Sequence, residues 1–550
     1  MFSLAILIGI YSYLIFTLGI LSLIYKPIVF LASIIYLFVC GYFFKSTLAN
    51  FFGSIKRGKR LLKIINREYL IKLVKKNKFT YALILLLLLQ SLINLIGVFG
   101  PEISFDALWY HLTLPKLYIL WHSIFHIPGN LLYYSDMPKL AEMLYTAAMI
   151  LANEYFAKLI HYSFAVLTLI AIYKLSRKYL SKNLSLLAAL IFYSNLVVGW
   201  ESITAYVDLA RTFFEVMAFW GFVNWIEKKE KKWLIVSGVM LGFTATTKIV
   251  AYGSLLIFLA LFTYQFYLGK DKARVLIKNF FLFCFFSILI PLPWFIFSFV
   301  NTGNPFYPYF TNAVVDSGRT FVLPNLSFIL EDLYTFFLRL NDPISPIYLI
   351  VVPLIIVNFK KYSPRAKELV IYTFISVVIW YLALENRGGR FIMPYLPVFS
   401  ILAMYSIKQL TSKYLYNFLI IVAVLISIIS IGYRGVANAK FIPFILGKET
   451  KSEFLTKNLN FSFGDFYDTD NYFKNNVKSS DKVLLYGFHN LYYVDFPFID
   501  SSFVKKGYKF NYIAVQNNAL PERFNNWKQI YYNPITKVKL YSLGGKQWVY

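Results

Sequence analysis

The sequence predicts an all-α polytopic membrane protein carrying a small extracytoplasmic α/β or α+β domain at its C-terminal end. Three observations lead there. Of 550 residues 58% are hydrophobic, and the mean hydropathy is +0.58. Apolar runs of roughly 17 to 22 residues, long enough to cross a bilayer as helices, recur between short charged clusters. From residue 433 onward the chain turns polar, and Lys482 to Gly487 and Tyr512 to Val515 read as short strands between Asn, Asp and Gly turns.

The apolar runs alternate across the bilayer in a consistent way. Runs near 2–24 and 28–44 precede a loop, 45–78, that is dense in Lys and Arg with Glu68 as its lone acid, which the positive-inside rule places in the cytoplasm. Further runs near 79–99, 156–176, 184–199, 207–226, 233–247, 249–267, 279–299, 346–359, 369–384, 391–407 and 415–432 keep the other main basic clusters on that side. The expectation is about thirteen spans. The first run lacks a basic n-region and a small-residue cleavage site, so it reads as a retained anchor. Four parts follow: N-terminal spans 1–44, the basic loop 45–78, a membrane core 79–432 and an extracytoplasmic domain 433–550. Segments 100–155, 200–206, 300–345 and 385–390 share the outer side with that domain.

Several functions are excluded. The net charge of +28 sits mainly in connectors between spans, where orientation requires it, and no base-reading motif accompanies it, so no nucleic acid is expected as a partner. Gly53 to Arg60 approaches a P-loop, but Arg60 stands where a Ser or Thr is needed. Gly-x-Gly-x-x-Gly, His-Glu-x-x-His and a Ser nucleophile elbow are missing. Cys40 and Cys284 both lie in apolar runs, which makes a disulfide framework unlooked for.

Candidate site residues are the charges that membrane orientation leaves unexplained. Glu102 and Asp106 follow directly on a membrane-length run, where a carboxylate needs water, a partner or a substrate. Asp106 reads as a catalytic base or as a helix N-cap. His111 lies one turn on, in a stretch patterned as an interfacial helix, suited to orienting that carboxylate or touching substrate. Tyr110 and Glu142 are expected at the substrate, Glu142 having the alternative of complementing a helix N-terminus. Asp208 heads a span and either joins the site or pairs with Arg211 three residues on. Lys248 falls on the outer side against the positive-inside pattern, suiting an anionic ligand or snorkelling. Arg387 and Arg390 flank two glycines in an outer hairpin, suited to gripping a phosphate through forked donors.

Phe105 to Lys116, Met137-Pro138 to Glu142, Tyr206-Val207-Asp208, Thr247-Lys248, Gly303 to Pro308 and Arg390-Phe391 to Pro394 together resemble the integral-membrane glycosyltransferases of the GT-C fold. The likeness is to the branch related to protein O-mannosyltransferases and lipid A aminoarabinose transferases. It spans most of residues 79 to 410. It implies a GT-C-like bundle in a bacterial plasma membrane, a polyprenyl-phosphate-linked sugar as donor and a glycan, lipid or protein as acceptor. The family's acidic residue in the first outer loop maps onto Asp106; many members have adjacent acids there, whereas here the second, Glu102, is four positions earlier. The resemblance leaves metal use open: a divalent cation such as Mg or Mn would be held by Glu102, Asp106 or Asp208. A transporter or flippase, or a surface-polysaccharide polymerase or ligase, is the alternative reading. Ionisable groups clustered outside rather than at midplane, with no inverted repeat, speak against transport.

Overall fold

A computed structural model describes residues 1–43, 77–269, 272–311, 331, 334, 343–382, 388–544 and 546–550. The basic loop is almost wholly outside the described residues, as are the P-loop-like stretch and Arg387.

Among the described residues the membrane part is built from helices. Seven helices among the described residues are long and apolar enough to cross a bilayer: Phe2–Ile20, Lys26–Phe43, Lys78–Val98, Glu154–Ser176, Ile249–Tyr267, Gly389–Lys408 and Lys413–Ile445. Ala273–Leu289 and Leu292–Thr302, bent by 56°, make an eighth if they form one span. The expected count of about thirteen is therefore not reached on length and composition. Other expected spans exist as helices too short or too charged: Lys231–Thr247 has 17 residues, and Asp208–Lys228 carries Asp208, Arg211, Glu215 and Glu227.

That charge is tolerated because Asp208–Lys228 lies at the centre of the bundle. It is buried on every face, a pattern expected of a helix surrounded by protein. Lys231–Thr247 packs closely against it. A Cβ on Gly221 would stand 3.1 Å from the Ser237 Cα, so glycine permits the approach, and the Ser237 hydroxyl donates across it to the Ala218 carbonyl at 2.7 Å. Lipid-facing positions show the opposite composition, with Leu85, Leu92, Ile429 and Val436 exposed.

The C-terminal region folds as a small mixed sheet. Strands β1 (Val483–Tyr486), β2 (Phe498–Asp500), β4 (Tyr512–Gln516), β5 (Lys528–Tyr532) and β6 (Val538–Ser542) stand in the order β2-β1-β4-β6-β5, while β3 (Lys509–Phe510) pairs separately with β7 (Trp548–Val549). β1 runs parallel to β2 and β4, and β6 antiparallel to β4 and β5. The two strands expected from sequence are β1 and β4. Helix Lys451–Asn458, fixed by a capping box between Thr450 and Glu453, leads into this domain.

The domain is fastened to the segment after residue 100. Lys116 donates to the carbonyls of Tyr492 and Val494 at 2.7 and 2.8 Å and to Asp495 at 2.8 Å. The Tyr493 hydroxyl donates to the Glu102 carbonyl at 2.8 Å, and His489 stacks on Phe105 at 4.7 Å between ring centroids. The sheet domain thus holds in place the loop that carries Glu102 and Asp106.

Candidate active site

Four chain segments bring opposite charges together at one end of the bundle. Asp106 precedes a π-helical turn, Ala107–His111, closed by Leu112 N–H on the Ala107 carbonyl at 2.9 Å. Such wide turns recur at functional sites because they re-aim side chains. Ala107, Leu108, Tyr110 and His111 are buried, so this stretch is built into the protein. The Asp106 carboxylate does not cap the turn. Instead its Oδ2 accepts from Arg390 Nη1 at 2.7 Å and from the Tyr110 hydroxyl at 3.4 Å. The Asp106 N–H donates to the Tyr206 hydroxyl at 3.1 Å.

Asp208 is the first residue of Asp208–Lys228, where helix-end N–H groups favour an anion. Lys248 closes Lys231–Thr247 at the carbonyl end, where a cation is favoured. Lys248 Nζ donates to Asp208 Oδ1 at 2.8 Å, and Arg390 Nε stands 4.0 Å from Asp208 Oδ2. Arg211, the alternative partner for Asp208, donates to the Tyr395 hydroxyl at 3.1 Å. Arg390 lies 5.0 Å from the Tyr206 and Phe391 ring centroids, and Lys248 5.0 Å from Phe391, positions that aromatic faces stabilise. The Asp208 side chain is 1% exposed against 14%, 17% and 20% for Asp106, Arg390 and Lys248. Asp208 is therefore the buried anchor, and the other three face the accessible side.

Glu102 stands apart from this cluster. Its Oε1 accepts from the N–H groups of Ile103 and Ser104 at 2.9 and 2.8 Å, and its Oε2 from that of Ala205 at 2.7 Å. The carboxylate is buried and braces residues 102–104 against the 200–206 segment. His111 Nδ1 bonds Glu142 Oε1 at 2.8 Å with both side chains buried. The structure thus joins Asp106, Tyr110, Asp208, Lys248 and Arg390, while Glu102 is held by amides and His111 and Glu142 by each other.

Two further groups escaped sequence reasoning. Tyr206 supplies the hydroxyl under Asp106 and the face under Arg390. Glu201 is fully buried with both carboxylate oxygens lacking a hydrogen-bond partner, 3.9 Å from His161 Nε2. Its place in the short outer segment, an acid after an apolar run, was the available signal.

The Glu102 oxygens are taken by amides, and Asp106 and Asp208 are each faced by a cationic side chain. Among the described residues, no three of His, Cys, Asp and Glu stand close enough together to hold a metal.

Similarities to known proteins bear on the fold. The chain is similar in fold to ArnT from Cupriavidus metallidurans in the apo state, with TM-score 0.54 and 11% identity over 84% of this chain and 98% of that one, in keeping with the GT-C class expected from the sequence. Within it, residues 140–297 match the family described as dolichyl-phosphate-mannose-protein mannosyltransferase. That segment includes Asp208 and Lys248; Asp106 and Arg390 lie outside it. Other similar structures are the same ArnT bound to undecaprenyl phosphate, at TM-score 0.49, 10% identity and coverage of 84% and 98%, and the archaeal oligosaccharyltransferase AglB from Archaeoglobus fulgidus in complex with an inhibitory peptide and a dolichol-phosphate, at 0.47, 12%, 80% and 70%. No curated protein sequence matches the chain.

Proposed function

We propose that the protein transfers a sugar from a polyprenyl-phosphate donor to an extracytoplasmic acceptor (glycan, lipid or protein), with inversion at the anomeric carbon, in a bacterial plasma membrane. The observation that carries this reading is the joining of one accessible carboxylate, Asp106, with two accessible cations, Lys248 and Arg390, from segments far apart in the chain.

The chemistry follows from the charges. The acceptor hydroxyl gives its proton to Asp106 as its oxygen bonds to the anomeric carbon. The bond from that carbon to the phosphate oxygen breaks, and its electron pair leaves on the phosphate, where Lys248 and Arg390 balance the growing charge. A phosphate leaving group needs no protonation, so one base suffices. Arg390 holds Asp106 before substrate arrives, and an incoming phosphate competes for the guanidinium and frees the carboxylate. Asp208 keeps Lys248 and Arg390 in place. An apolar cavity of about 480 Å³, lined by Ile249 and Tyr252, which follow Lys248 in sequence, and by Phe295 and Phe306, suits the polyprenyl chain.

The test is incubation of purified protein in liposomes with polyprenyl-phosphate-linked radiolabelled mannose and a crude membrane acceptor fraction. Label on acceptor, lost in the Asp106→Asn variant, supports transfer. Labelled lipid crossing the bilayer unchanged indicates a flippase.

A further inference from the structure

A second group of cations, away from the cluster just described, surrounds a small cavity between the ends of Lys78–Val98 and Lys413–Asn438. Lys158, Arg434 and Lys440 line it, with Trp200 and Asn438, at a volume of about 100 Å³. Asp106, Asp208, Lys248 and Arg390 take no part in it. We propose that this cavity is a binding site for a phosphate group, supplied by a lipid headgroup or by free phosphate.

Two of the three cations are buried, and Lys440 stands exposed at the rim. Lys158 is 1% exposed and Arg434 6%. Lys158 donates only to carbonyls, those of Gly97 and Gly100 at 2.9 and 2.7 Å. Arg434 donates through Nη2 to Asn438 Oδ1 at 2.7 Å, and Asn438 is fixed in turn by donating to the Ile93 carbonyl at 2.8 Å. Arg434 Nε is buried with no hydrogen-bond partner. Among the described residues none of the three cations forms an ion pair. A buried cation without a counter-charge is costly to fold around, and a bound anion would relieve that cost.

The chain also makes room for this arginine. A Cβ on Gly199 would stand 2.9 Å from Arg434 Cγ and 3.0 Å from its Cδ, so a larger residue would displace the arginine stem. Glu102 is the one acid on the cavity wall, and its oxygens are held by three amides, which leaves the cations in excess. A guanidinium fork beside two ammonium groups matches the oxygens of a phosphate, and the volume admits a phosphoryl group. Apolar side chains such as Leu92, Ile429 and Val436 are exposed on the two flanking helices, so lipid lies alongside.

The experiment uses full-length Lys248→Gln/Arg390→Gln protein, in which the proposed donor site is silenced, so its outcome is independent of the transferase reading. Thermal unfolding is followed in maltoside detergent against inorganic phosphate, and in phosphatidylcholine nanodiscs with and without phosphatidic acid. Saturable stabilisation is expected, with affinity reduced about tenfold or more by Arg434→Gln, similarly by the exposed Lys440→Gln, and restored in part by Arg434→Lys; tenfold corresponds to about 1.4 kcal/mol. Response to both probes assigns free phosphate as a sufficient ligand, and response to phosphatidic acid alone assigns a lipid. Stabilisation that is absent, or equal in the parent and in Lys440→Gln, overturns the proposal.

Discussion

Glu102 and Asp106 are the same kind of residue four positions apart on one loop, and the fold uses them in opposite ways. Glu102 is 1% exposed, and three backbone N–H groups at 2.7 to 2.9 Å occupy its oxygens. Asp106 is 14% exposed and bonded by a guanidinium that a phosphate can draw away. A carboxylate surrounded by fixed amides is a structural brace, since moving or protonating it would orphan several donors at once. A carboxylate whose partner is a mobile side chain can take part in chemistry. The difference lies in the partners, which come from segments distant in sequence.

Substitutions sharpen this contrast, the largest effect first. Asp106→Asn should lower transfer by about 10² to 10⁴, the range for a lost general base, with the unfolding midpoint little changed; rates in reconstituted vesicles check this. Lys248→Gln or Arg390→Gln should reduce turnover by about 10² to 10³, as removal of a group balancing transition-state charge does. Glu102→Gln should act differently. Its amide nitrogen faces a backbone N–H, which costs about 1 to 3 kcal/mol, so a lowered unfolding midpoint is expected while the folded fraction keeps turnover within several-fold of the parent. A Glu102→Gln protein that is stable yet inactive would move catalysis to Glu102 and break the comparison.

The smallest expected effect lies in the sheet domain. Burial raises the Asp500 carboxyl to about 6, against the hydrogen bond from the Ser502 N–H at 2.8 Å that lowers it. Its ordinary value is about 3.9, so between these values the folded protein binds more protons than the unfolded chain. Stability from this group is full below about pH 4 and is lost as pH rises through about 6. Asp500→Asn should flatten that fall, seen as a smaller drop in the unfolding midpoint between acid and neutral pH.

Composition and apolar run length revealed the fold class because a bilayer imposes both on any spanning helix. The strands β1 and β4 were legible from their β-branched and apolar cores between turn residues. The span count was not, because Asp208–Lys228 carries its charges inside protein rather than at a membrane edge, where hydropathy cannot tell a central helix from a polar one. Asp106 and Arg390 stood out as charges needing a reason. Their meeting over 284 residues is tertiary and has no local signal, and neither has the pairing of Lys248 with Asp208. His111 and Glu142 were singled out separately, and the fold pairs them with one another. Glu102 looked like a second catalytic acid because its amide partner Ala205 arrives from another loop.

The central claim is a division of labour, with Asp106 for the proton and Lys248 and Arg390 for the phosphate. Binding of undecaprenyl phosphate to full-length protein in nanodiscs tests it without knowledge of the sugar. The account predicts that Asp106→Asn binds as tightly as the parent or more so, since the competitor for Arg390 is gone, while Lys248→Gln and Arg390→Gln each lose about tenfold or more. Equal losses in all three variants, or none in the two cation variants, would contradict it.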